Sequence, residues 1–229
     1  MVCDKSVPFA SALAVSLRAK DHSVALLVDA VEAARGEGPS SVGTHSGAQA
    51  AGVPTGLREI PWNRPSALSA QTVSLALRNA FRSLDQAVLA FDAASVAVSE
   101  ETDERMRLIA VSDSYIRGYL LLANELSDLF IRQGRGRLTF AVRGLPSGFR
   151  PRESSALVAE GAFIRLAEET SAALSASGNP AIQTSLVRLE GSDNEQDVEW
   201  LLRRLEGEVT LRSQLSWVKS GSRFPFVPA

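Results

Sequence analysis

The chain has 229 residues, 45% of them hydrophobic and 22% charged, and this is enough to bury a core in one domain. Its formal net charge of −2 argues against general binding to nucleic acids or membrane surfaces, and its apolar runs are far too short to cross a bilayer. No signal peptide is visible, and a single cysteine excludes an internal disulfide, so we expect a cytoplasmic protein.

Apolar periodicity predicts helices that alternate with buried strands along the chain. The predicted helices are 11–20, 69–81, 101–133 with an interruption near 112–114, 154–175 and 197–205. The predicted strands are 24–28, 57–60, 87–91, 137–142, 182–189 and 214–218, after a first strand cut to little more than Met1 and Val2. Residues 36–56 are rich in Gly, Ser, Ala and Thr, and predict a mobile loop inside the domain.

Strands that alternate with helices of this length favour right-handed crossovers and a mainly parallel sheet covered on both faces. The expected fold class is therefore α/β, a Rossmann-type doubly wound sheet with a truncated first strand. We expect one domain spanning residues 1–229.

The order of the elements resembles that of the classical short-chain dehydrogenase/reductase family. The resemblance is clearest at residues 100–104, 117–122 and 132–140, which are similar to that family's fourth helix and the strand after it. It extends by element order over almost the whole chain. It implies the family's Rossmann fold and, in an intact member, an NAD(P)-dependent oxidoreductase.

The family's catalytic motif is absent from this sequence. Its Tyr-x-x-x-Lys positions fall on Leu157 and Gly161, neither of which can transfer a proton or carry a charge. Alignment cannot change this, because the two tyrosines, Tyr115 and Tyr119, have no lysine four residues later. The family's catalytic asparagine position falls on Tyr115. The resemblance therefore implies no catalytic residue.

The family's cofactor-binding turn is also replaced. Its glycines let the backbone approach a diphosphate at a helix N-terminus, and the turn falls on residues 3–10, where Cys3, Asp4, Pro8 and Ala10 stand instead. We expect the charge of Asp4 to oppose a phosphate. Asp29 is a vestige of the family's ribose-binding acid. The resemblance thus implies no cofactor.

Other sites are weaker hypotheses. His22 and His45 are the only histidines and give little material for a metal site or a nucleophilic triad, so we expect no metal. Cys3 is a poor candidate nucleophile. The carboxylates at 100–104 and the arginines at 132, 135 and 137 lie at predicted helix ends, where such charges are favoured by the helix dipole.

Intact packing without chemistry favours a non-catalytic subunit that assembles with and supports a catalytically active relative in a hetero-oligomeric dehydrogenase or reductase. One candidate substrate class for the complex is an acyl thioester such as an acyl-CoA. The resemblance implies a contact through helices 103–133 and 154–175 and through the C-terminal strand and apolar tail at 224–228. Gly161 then lies in a helix that faces an empty or filled cleft.

Two alternatives stay open. In one, the former substrate cleft binds a small molecule in a regulatory role. In the other, the protein is a reductase with an unorthodox site.

Overall fold

Among the described residues, seven strands form one parallel sheet with the order β3-β2-β1-β4-β5-β6-β7, and apolar runs of the sequence form its central strands β2 and β4. The computed structural model describes residues 1–30, 33, 57–97, 104–145, 154–190, 194–207 and 216–220. The strands are β1 (Val2–Asp4), β2 (Val24–Asp29), β3 (Leu57–Trp62), β4 (Gln86–Asp92), β5 (Gly136–Arg143), β6 (Ile182–Leu189) and β7 (Val218–Lys219).

Helices connect these strands and cover both faces of the sheet. They are α1 (Pro8–Ala19), α2 (Ala67–Ala80), α3 (Ala93–Ala97), α4 (Glu104–Val111), α5 (Gly118–Gln133), α6 (Ser154–Ala176) and α7 (Asn194–Leu205). Residues Ser112–Arg117 form a π-helical segment between α4 and α5.

The core has two halves, one on each side of the sheet. Alternate residues of a strand point to opposite faces, so Leu89 and Phe91 of β4 pack with α2, α5 and α6. Val88 and Ala90 pack on the other side with α1 and α7. Burial on both faces explains why β2 and β4 are nearly continuous apolar runs in the sequence.

The predicted fold class is confirmed, and several element limits are corrected. The first strand reaches Asp4, because residues 2–4 pair in register with residues 25–27 of β2. The predicted long helix consists of three helical segments, because the π-helical turn lies where the sequence predicts an interruption. The last strand begins at Val218. The 36–56 loop and the tail at 224–228 lie outside the described residues.

None of the described helices is long and apolar enough to span a membrane.

Candidate functional site

The strand order reverses direction between β1 and β4, and in open α/β sheets ligands bind outside the carboxyl ends of the strands at this point. In this protein polar or aromatic residues close these ends. They are Asp4 on β1, Asp29 on β2, Trp62 on β3, Asp92 on β4 and Arg143 on β5.

Asp4 is buried, and both oxygens of its carboxylate accept hydrogen bonds. Arg64, just beyond β3, places Nη2 2.7 Å from Oδ2 and 3.0 Å from Oδ1 of this carboxylate. The backbone N–H and the hydroxyl of Ser6 donate to Oδ1 at 3.0 and 2.9 Å, and the Tyr119 hydroxyl lies 2.9 Å from Oδ2. The expectation that Asp4 presents an uncompensated negative charge is wrong, because Arg64 neutralises it.

Three aromatic rings enclose the Arg64 guanidinium. Its central carbon lies 4.8 Å from the ring centre of Trp62, 5.0 Å from that of Tyr115 and 5.6 Å from that of Tyr119. Burial disfavours the charge on Arg64, but Asp4 and the two phenol groups outweigh this and raise its pKa. We call Asp4, Arg64, Trp62, Tyr115 and Tyr119 the arginine plug.

The plug changes the ionisation of both tyrosines. Burial first, and then the negative charge of Asp4, raises the pKa of Tyr119 well above its ordinary value. Burial also raises the pKa of Tyr115, to which Asp4, Asp29 and Asp92 add. Both phenols are therefore neutral near pH 7, and neither resembles an activated base.

A glycine allows the plug to seat against α5. An added Cβ at Gly118, the first residue of this helix, would lie 2.9 Å from Cβ and 3.1 Å from the carbonyl oxygen of Arg64. The preceding π-helical segment carries Tyr115, the residue that stands at the family's asparagine position. Single π-helical turns often mark functional sites. In this chain the turn presents an aromatic ring to Arg64.

A second arginine, Arg143, lies at the carboxyl ends of the neighbouring strands β4 and β5. Arg143 Nη2 lies 2.8 Å from Asp197 of α7, and Nη1 lies 3.6 Å from Asp92. The same guanidinium stands 5.0 Å from the ring centre of Phe9, in the first turn of α1, which is where a diphosphate rests in dinucleotide-binding folds. Both sides of the β1–β4 reversal are thus held by buried arginine–carboxylate contacts.

The two positions of the family's catalytic pair lie on the exposed side of α6. Leu157 is 50% exposed, and an added Cβ at Gly161 would meet no other atom within 4 Å. Among the described residues, Gly161 therefore faces open space.

The structure also relocates the cofactor-turn residues. Cys3 and Asp4 belong to β1, whereas Pro8 and Ala10 belong to α1, so the connecting turn is only residues 5–7. The short turn follows from Asp4, which binds the N–H and hydroxyl of Ser6 and draws the chain back over the strand end. Asp29 is the exposed last residue of β2, as its position in the sequence predicts.

The remaining candidates do not gather at this site. His22 lies at the opposite edge of the sheet, 3.6 Å from Glu206, and Arg135 makes a surface ion pair with Asp85. Arg132 is exposed, and Arg137 binds Gln183 and the last carbonyls of α7. His45 and residues 100–103 lie outside the described residues. The described part of the chain holds no group of three metal-ligating side chains.

Sequence reasoning missed Arg64, Arg143 and Asp197. The available signal was a charged residue close behind a predicted strand: Arg143 directly follows the strand 137–142, and Arg64 lies four residues after the strand 57–60. Two clefts of about 360 and 450 Å³ lie at the amino ends of the strands, away from the plug.

No protein-family profile matches the chain. It is 32% identical over 222 residues to an uncharacterized protein of Treponema pallidum (strain Nichols), an overlap that covers 97% of this chain and 92% of the relative. The chain belongs to the family of this treponemal protein. The function of this treponemal family does not follow from that relative, so the fold and the site carry the argument.

The structure of this chain is similar to solved structures of short-chain oxidoreductases. A metagenomic short-chain oxidoreductase in complex with NADP aligns with a TM-score of 0.66 at 13% identity, covering 95% of this chain and 94% of that one. An alcohol dehydrogenase of Thermococcus sibiricus complexed with 5-hydroxy-NADP gives 0.64 at 13%, covering 98% and 97%. A beta-ketoacyl-[ACP] reductase of Bacteroides thetaiotaomicron gives 0.61 at 12%, covering 95% and 93%. At such identities the likeness establishes the short-chain oxidoreductase fold.

Proposed function

We propose that this protein is a non-catalytic member of the short-chain dehydrogenase/reductase fold. In this proposal it binds no dinucleotide and assembles with a catalytically active relative, which it supports in a hetero-oligomeric oxidoreductase. An acyl thioester such as an acyl-CoA is a candidate substrate of that complex.

The arginine plug is the observation that carries this proposal. Two of the similar structures hold NADP or 5-hydroxy-NADP, and a Rossmann-type sheet receives such a ligand at the carboxyl ends of the strands beside the reversal of strand order. Arg64 and its three aromatic neighbours occupy this region in our protein. A diphosphate would have to displace a buried ion pair, and leaving a buried carboxylate unpaired costs several kcal/mol.

The positions of the family's proton-transfer pair support the same conclusion. Leu157 and Gly161 offer no acid, base or cation. The Tyr119 hydroxyl faces two acceptors, Oδ2 of Asp4 and the carbonyl oxygen of Ala90, which share its single proton. Among the described residues we therefore assign no catalytic role.

Exposed apolar residues support a protein partner. We call Met106, Leu108 and Ile109 of α4, together with Leu157 and Val158 of α6, the cleft-side cluster. Each is about half exposed, and α4 packs against α6. Farther along, the outward face of α6 carries Arg165 and Glu169, whereas that of α5 is mixed, with Asn124 and Asp128 beside the exposed Leu120 and Ile131. Contiguous apolar surface usually marks an interface, so we place the partner on the cleft-side cluster.

Two measurements test the proposal. Calorimetric titration with NADH and with NADPH should give no binding, and purification from the organism that makes the protein should yield a second chain with an intact Tyr-x-x-x-Lys in fixed ratio. Micromolar binding of either dinucleotide to the isolated chain would overturn the non-catalytic part. Recovery as a homo-oligomer without a second chain would overturn the subunit part.

One observation favours a second candidate, a small-molecule-binding regulatory protein. The indole N–H of Trp62 and Nη1 of Arg64 are buried without a hydrogen-bond partner, so two donors of the plug lack an acceptor. A ligand carbonyl or carboxylate would supply one. Thermal-shift screening against carboxylic acids and acyl thioesters separates the candidates, because a ligand that binds the folded state raises the melting temperature by mass action.

A further inference from the structure

A separate group of buried polar side chains lies between α7 and the sheet. Arg204 of α7 reaches down to β6, where its Nε donates to the Ser185 hydroxyl at 3.3 Å. Thr139 of β5 is paired directly with Ser185 in the sheet register. Arg204, Ser185 and Thr139 are each no more than 2% exposed.

This group contains more donors than acceptors. Within the described part of the chain, Nη2 of Arg204 and the hydroxyl of Thr139 are buried and have no hydrogen-bond partner. The Ser185 oxygen accepts from Arg204, so its own proton is free to be donated. Buried polar groups are nearly always paired, so an acceptor is missing here.

The contact that the described residues give the Arg204 charge is aromatic, because its guanidinium carbon lies 5.4 Å from the ring centre of Trp200. The neighbouring charge is Arg137, and Arg137 already uses its own donors on Gln183 and on the carbonyls of Arg204 and Leu205. Burial, and then the positive charge of Arg137, lowers the pKa of Arg204 to about 10, so the guanidinium stays charged at neutral pH. No described carboxylate pairs with it. An unpaired buried charge is costly.

We propose that Arg204, Ser185 and Thr139 form a binding site for one small anion, enclosed between α7 and strands β5 and β6. The anion accepts from Arg204 Nη2 and from the two hydroxyls, and it neutralises the guanidinium. Because all three residues are enclosed, the site selects a small ion such as chloride or formate over a bulky organic anion. This inference is independent of the proposed function.

The test is thermal unfolding at constant ionic strength, with potassium gluconate replaced stepwise by chloride, formate or phosphate. We expect the melting temperature to rise with the logarithm of the concentration of at least one small anion, by roughly 3–6 °C at about ten times its Kd. Chloride alone would identify a halide site, and formate or phosphate an oxyanion site. The Arg204→Met variant should lose the rise.

Arg203→Met is the matched control, because it removes the same charge from the next residue of α7. Arg203 is exposed and pairs with Glu199, so this variant should keep the full rise. If Arg204→Met fails to fold, Thr139→Val removes one donor at nearly constant volume and should weaken anion binding. Equal melting temperatures in all four salts, or a rise that survives in Arg204→Met, would overturn the proposal.

Discussion

The Arg64 guanidinium lies 2.7 Å from the Asp4 carboxylate, so the end of β3 is tied to the end of β1 across the position of β2. The pair is nearly solvent-free, and the Trp62, Tyr115 and Tyr119 rings surround it. In a Rossmann-type sheet this edge is where a dinucleotide enters. In the proposed function, this ion pair takes the position that a dinucleotide has in other proteins of the same fold.

Removing one partner of this pair should destabilise the fold strongly. Arg64→Met leaves Asp4 buried and unpaired, and we expect a loss of about 3–5 kcal/mol in the free energy of unfolding, measured by urea denaturation. Arg135→Met is the control, since its pair with Asp85 is exposed on both sides, and it should cost less than about 1 kcal/mol. Similar losses for the two variants would contradict the assigned role of Arg64.

The buried Tyr119 hydroxyl predicts a pH effect. Because its pKa is raised in the folded state, the folded protein holds its phenol proton when the unfolded chain has lost it, and stability should fall as pH rises above 10. Tyr119→Phe should cost about 1–3 kcal/mol at pH 7 and flatten this alkaline fall. The Tyr119→Phe variant should keep part of the alkaline loss of stability, because the pKa of Tyr115 is also raised. Identical slopes in urea titrations between pH 9 and 11 would exclude the effect.

Two glycines in helices should respond oppositely to alanine. At Gly118 the new Cβ would press on the backbone of Arg64, so we expect Gly118→Ala to destabilise by about 1–3 kcal/mol despite its better helix propensity. At Gly161 nothing lies within 4 Å, so Gly161→Ala should stabilise by about 0.5–1 kcal/mol. Thermal unfolding of the pair checks both signs, and a stabilising Gly118→Ala would show that the plug does not depend on close approach.

Restoring the catalytic pair should not restore catalysis. The double variant Leu157→Tyr/Gly161→Lys rebuilds the Tyr-x-x-x-Lys spacing on an exposed part of α6, but the arginine plug still occupies the cofactor position. We expect no NADPH binding in a fluorescence titration and no reduction of an acetoacetyl thioester. Binding by this variant, at wild-type stability, would mean that the plug yields to the cofactor.

Charges placed on the cleft-side cluster should disrupt the complex without unfolding the chain. Ile109→Lys and Leu157→Lys alter exposed side chains, so we expect melting temperatures near that of the wild type and at least a tenfold loss of the co-purifying chain. Val15→Lys, on an exposed position of α1 on the other face of the sheet, is the control and should retain it. Equal recovery with all three variants would place the contact elsewhere.

The sequence alone determined much of this protein. Apolar runs such as those in Val24–Asp29 and Gln86–Asp92 must be buried on both faces, and this requires helices on both sides of a parallel sheet. The absence of any lysine four residues after Tyr115 or Tyr119 is a matter of counting, so the missing catalytic pair needed no structure.

Only the tertiary structure decided which side chains lie at the carboxyl ends of the strands, where a Rossmann-type sheet binds its dinucleotide. Asp4 looked like a charge that repels phosphate, because its partner Arg64 is 60 residues away and follows a weakly predicted strand. Strand order brings the two together, and hydrophobicity patterns do not encode strand order. Arg204 and Thr139 are likewise 65 positions apart in the sequence (204 − 139), and lie on the same side of the sheet only through the register of β5 with β6. Local patterns fix which residues are buried, whereas the pairing of buried charges depends on which distant segments become neighbours.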